Sequence, residues 1–238
     1  MHALIGCAFI NRRGVAETAI NKLLLPCLLA LGLAAGTTFA ASLTPPYKEG
    51  VNYIPVMPAQ PVNVNPGRIE VLEFFWYGNP QCFALEPYLQ SWDKNKAANV
   101  VLSRVPAALN PQWDLAARAY YAAVQLGISD KADAVIYAII HTRHANLSTT
   151  ADYENVFTGQ LGVSAKQFET VWNSLVVDTQ IAQAKVLAQR YGVTSVPALT
   201  VNGKWLTGAG YKLPTADIMN AVNWLVQREQ AALPAGAD

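Results

Sequence analysis

Residues 69–77, Ile-Glu-Val-Leu-Glu-Phe-Phe-Trp-Tyr, are a compact β-branched and aromatic run that stops at Gly78-Asn79-Pro80. A short apolar run bounded by turn residues marks a buried strand. Asparagine is a favoured helix N-cap and proline suits the first helical position, so the same residues start a helix, expected to reach about Trp92. Residues 100–105, Val-Val-Leu-Ser-Arg-Val, supply a second strand. Strand, helix, parallel strand is a βαβ unit, and it commits the chain to an open α/β sheet.

The remaining chain is read around that unit. Residues 42–68 are rich in Pro, Asn and Val without a helical period, and read as an extended lead-in with at most one edge strand. After the second strand the character turns helical. Asn110-Pro111 caps a helix to Gly127, Ser129 opens another to about His144, and a short one covers 151–157. Ser164 with Gln167 forms a capping box, and the helical pattern from Phe168 through Ile181, Ala184 and Leu187 continues to Tyr191 and the Gly192 stop. Residues 198–201, then Asn202-Gly203, then Lys204-Trp205-Leu206 predict a hairpin, because Asn-Gly supplies the two positive φ angles of a type I′ turn. Pro214 or Thr215 starts a last helix with Ile218, Val222 and Leu225 on one face. The pattern matches an α/β, thioredoxin-like fold with an inserted all-helical domain. Residues 41–107 and 190–238 form the thioredoxin-like part and 108–189 the insertion.

The N-terminus reads as a signal peptide over residues 1–40. Arg12, Arg13 and Lys22 precede the uncharged apolar run 23–35, and Thr38-Phe39-Ala40 offers small residues for cleavage. Seventeen Lys+Arg against sixteen Asp+Glu leave a net charge of +1, which argues against a nucleic-acid partner. The chain has three cysteines. Cleavage after Ala40 removes Cys7 and Cys27, so a protein sent to an oxidising compartment keeps only Cys82 and cannot close an internal disulfide.

Three blocks, 71–92, 171–192 and 193–205, resemble the DsbA family of thiol:disulfide interchange proteins, and the element order agrees along the whole mature chain. The resemblance implies a periplasmic oxidoreductase that passes a disulfide to unfolded or extended exported polypeptides. It also implies a membrane reoxidase as a second partner, no cofactor, no metal, and a monomer. In the family a Cys-x-x-Cys follows the first core strand and faces a cis-proline loop. The C-terminal cysteine of that motif falls on Cys82, the nucleophile on Asn79, and the intervening pair on Pro80-Gln81. The buried acid falls on Glu73, its basic neighbour on Arg104, and the cis-proline on Pro197, preceded by Val196.

A thiol at a helix N-cap is useful because orphan N–H groups and the helix dipole stabilise its thiolate, the attacking species. Asn79 keeps the cap and discards the sulfur, so dithiol oxidase turnover is expected to be lost. Three roles are open to Cys82: an inert core thiol, a monothiol that forms mixed disulfides, or an intermolecular bond. Glu73 is either a proton acceptor or the partner of Arg104. Val196, Pro197 and Gln81 are the expected substrate contacts, since the backbone before such a proline can pair with an extended peptide. That function needs no cysteine, and a non-redox peptide-binding or chaperone-like module is the alternative reading. Trp76, Tyr77, Phe83 and Trp92 flank the site and read mostly as core, with Trp76 nearest the groove. His141 and His144 read as a solvated face.

Overall fold

The computed structural model describes residues 46–233. The signal-peptide reading of residues 1–40 lies outside them. Five strands form one mixed sheet in the order β1-β5-β4-β2-β3. They are β1 (Tyr53–Pro55), β2 (Ile69–Phe75), β3 (Val100–Pro106), β4 (Ala198–Val201) and β5 (Trp205–Gly208). All seven residues of β2 are buried. It pairs in parallel with β3 and antiparallel with β4, the central position that an unbroken apolar run implies. The fold is thioredoxin-like with a helical insertion between β3 and β4.

Alternation along β2 sends neighbouring residues to opposite faces of the sheet. Ile69 and Val71 join a core with Leu85 and Leu89 of α1 (Pro80–Asn95) and Ile218, Val222 and Leu225 of α7 (Thr215–Ala231). Leu72 and Phe74 pack into a larger core with Ala184 and Ala188 of α6 (Leu175–Arg190) and with Tyr191. The same core takes in α2 (Pro111–Gln125), α3 (Ser129–Tyr137), α4 (Thr150–Val156) and α5 (Ala165–Trp172).

Several element ends differ from the sequence expectation. Strand β2 stops at Phe75, because Trp76 turns to stack on Trp113 at 4.4 Å and Tyr77 turns inward to Asp133. Helix α1 runs past Trp92 to Asn95 and contains Pro87, whose missing N–H leaves the Phe83 carbonyl without its intrahelical donor. The helix opened by Ser129 gives way at Tyr137 to a π-helical turn over Ala138–Thr142, and His144 has left it at φ 54°. What reads as one helical pattern from Phe168 to Tyr191 is two helices. The Ser174 hydroxyl accepts from the Val177 N–H and starts α6 afresh, a local cap outcompeting continuation. The hairpin turn has Asn202 at φ 51° and Gly203 at φ 69°. A side chain at Gly203 would also meet the Gln60 carbonyl at 2.0 Å, so glycine is required there twice over.

Candidate functional site

The site is built where β2 ends and α1 begins. Trp76 folds back over Gly78, where an added Cβ would lie 2.3 Å from the indole. That turn delivers Asn79 to the N-cap of α1. Its Oδ1 accepts from the N–H groups of Gln81 at 2.7 Å and Cys82 at 3.0 Å. Its Nδ2 donates to the Val196 carbonyl at 3.1 Å, across the fold. The Val196–Pro197 peptide bond is cis. The tertiary structure therefore brings Asn79, Cys82, Val196 and Pro197 together, with Gln81 exposed at the edge.

Cys82 lies one residue inside the exposed turn and is 0% exposed. Burial, reinforced by the nearby Glu73 carboxylate, pushes its thiol far above the ordinary value. Its place in the first turn of α1 would by itself favour a thiolate. Desolvation wins because the sulfur is sealed from solvent, and the opposing pull of the Trp76 backbone and of the Arg104 charge is smaller.

Beneath the cysteine lies a charged cluster. Arg104 on β3 donates through Nε to Glu73 at 2.6 Å, through Nη2 to Glu86 at 2.8 Å and through Nη1 to Asp133 at 2.6 Å. The guanidinium also sits 4.4 Å from the centroid of the Phe75 ring. The Tyr77 hydroxyl donates to Asp133. Glu73 Oε1 and the Tyr137 hydroxyl have no hydrogen-bond partner among the described residues. One guanidinium thus serves three carboxyls. Burial, opposed by Arg104, pushes Glu73 up to about 7 and Asp133 up to about 6.

Those raised values have a signed consequence for stability. Both carboxyls hold a proton more tightly folded than unfolded, so their contribution is full below the unfolded values of 4.5 and 3.8 and is lost as pH rises through about 7. Urea unfolding is expected to show a protein less stable at pH 8 than at pH 5, by about 1–3 kcal/mol. Glu73→Gln, which cannot ionise, should remove much of that slope. Equal slopes in the two proteins would overturn the assignment.

Other residues fall differently from the sequence expectation. Of the four aromatics expected mostly in the core, only Tyr77 is buried; Phe83 is 37% exposed, and Trp76 and Trp92 are half-buried. His141 is not on a solvated face. Its ring stacks on Phe83 at 4.8 Å and its Nε2 donates to the Tyr77 carbonyl at 2.7 Å. His144, out of the helix and exposed, has parted from it. Glu86, Asp133 and Tyr137 join the cluster without being expected from the sequence. Glu86 carried one legible signal, since it stands four residues after Cys82 on the same helix face. Asp133 and Tyr137 reach the cluster only by tertiary packing.

With this geometry in place, the comparisons are specific. A family profile for the DSBA-like thioredoxin domain matches residues 54–212. The chain is 34% identical over 211 residues to the thiol:disulfide interchange protein DsbA of Burkholderia cepacia, covering 89% of this chain and 98% of that protein. It is 30% identical over 213 residues to the Pseudomonas aeruginosa protein of that name, covering 90% and 99%. The crystal structure of Pseudomonas aeruginosa DsbA superposes with a TM-score of 0.73 at 31% identity, over 78% of this chain and 96% of that one. The oxidoreductase DsbA from Xylella fastidiosa superposes with 0.71 at 27% identity, over 79% and 100%.

Proposed function

The chain belongs to the family of DsbA-like thioredoxin-domain proteins, and from that premise we propose a thiol:disulfide interchange protein of exported polypeptides whose site, Asn79-Pro80-Gln81-Cys82, lacks dithiol turnover. Cys82 stands at the resolving position and Asn79 at the nucleophile's. Relatives named thiol:disulfide interchange protein support the general activity. The signal-peptide pattern of residues 1–40 supports export to the periplasm. Residues 108–189 form the helical insertion in this reading, with 41–107 and 190–238 as the thioredoxin-like part.

One observation carries the loss of turnover: an amide rather than a sulfur caps α1. Exchange proceeds by thiolate attack on a disulfide, through a mixed disulfide that a second thiol resolves. The exposed attacking group is missing, and the remaining sulfur is buried with its thiol pushed up. A membrane reoxidase would find no dithiol here to oxidise. Glu73, if it takes a proton, has no neighbouring thiol pair from which to take it.

The alternative, a non-redox module that holds extended polypeptides, is favoured by a separate observation. The pairing of β4 begins at Ala198, opposite Phe74 on one side and Gly208 on the other, so Val196 lies beyond the ladder. Its backbone is thus free of strand pairing, and an extended chain could pair with it there.

An insulin-reduction or dicysteine-peptide oxidation assay on the mature protein separates the readings. Turnover is expected at the blank rate, beside a dithiol DsbA as positive control. Turnover comparable with that control would sink the proposed loss.

A further inference from the structure

We propose that Asn79 is an internal plug of the Val196 groove, its side-chain amide standing where the N–H of a bound peptide would donate. This rests on the peptide-binding reading above and adds how that site is regulated. The orientation of the amide is fixed by its surroundings. The backbone N–H groups of Gln81 and Cys82 are both donors, so the atom facing them at 2.7 and 3.0 Å must be Oδ1. That leaves Nδ2 for the Val196 carbonyl at 3.1 Å. The neighbouring Pro197 carbonyl is already taken by the Ala209 N–H at 3.1 Å. An extended peptide added beside Val196 needs the carbonyl that Asn79 holds.

The plug is also a staple, since one side chain ties the first turn of α1 to a loop 117 residues away. A client N–H that approaches the same oxygen competes with that contact, since the amide already occupies one of its two lone pairs. The natural protein therefore binds extended chains more weakly than the groove allows, until something withdraws Asn79.

Two substitutions isolate the donor from the cap. Asn79→Asp keeps an oxygen for the helix N-terminus, where negative charge is favoured, but has no N–H and is repelled by the carbonyl. Asn79→Ser keeps a capping hydroxyl and removes the amide. The probe is fluorescein-labelled, reduced and carboxymethylated α-lactalbumin, an unfolded chain with no thiol or disulfide, followed by anisotropy. Both variants, with unchanged far-ultraviolet circular dichroism, are expected to bind about 5–10-fold more tightly than the natural protein, the worth of one hydrogen bond. If Asn79→Asp does not fold, Asn79→Ser carries the test. Equal or tighter binding by the natural protein would overturn the plug while leaving the groove intact. Absence of binding by all three would overturn the groove and the plug with it. The client is blind to redox chemistry, so neither result bears on the loss of dithiol turnover.

Discussion

Replacing Asn79 by cysteine is expected to raise oxidation of a dicysteine peptide, with glutathione disulfide as terminal oxidant, above the blank rate expected of the natural protein. An ordinary thiol with a pKa near 8.5 is roughly 3% thiolate at pH 7. One at a helix N-terminus, with a pKa at or below about 7, is half ionised or more. The nucleophile population therefore rises at least about fifteenfold over an ordinary thiol, before counting the exposure that Cys82 lacks. The larger gain is a second sulfur at the Cys-x-x-Cys spacing, which closes the cycle: thiolate attack, mixed disulfide, then release by the partner thiol. The substitution weakens the cap by about 1 kcal/mol and gives up the contact to Val196. The scaffold should tolerate both. If mass spectrometry showed the disulfide formed while peptide oxidation stayed at the blank rate, the surrounding site would no longer be competent.

Arg104 carries the largest expected loss of stability. Arg104→Met removes the cation that Glu73, Glu86 and Asp133 share and leaves two buried carboxyls, Glu73 and Asp133, beside the half-buried Glu86. Breaking a buried pair from one side costs about 3–5 kcal/mol, and here three partners are stranded. Urea unfolding at pH 8 should show a loss of that size. The loss should shrink at pH 5, where Glu73 and Asp133 take up protons that burial already favours. Arg104→Lys keeps the charge but not the fork that reaches three acceptors, so its loss should be intermediate. A loss below about 1 kcal/mol for Arg104→Met at pH 8 would mean the cluster is neutralised by other means.

The cap at Asn79, the proline after it and the hairpin at Asn202-Gly203 were legible because each rests on contacts within three residues. Central placement of 69–75 followed from its unbroken apolar run. The break at Ser174 was hidden because helical periodicity continues across it, and only the side-chain cap distinguishes two helices from one. His141 looked like a surface residue because Phe83 and the Tyr77 carbonyl, which hold it, come from other elements.

The sequence by itself determined the βαβ start, the helical insertion, the hairpin and the single cysteine of the described residues. Such features are set by local propensity and by which residues are present. The tertiary structure alone decided that Arg104 answers to three carboxyls and that the Asn79 amide reaches Val196. It also decided that Cys82 is sealed from solvent. The physical reason is common to all three. Desolvation and directional hydrogen bonding depend on which groups surround an atom, and those groups lie dozens of residues away along the chain.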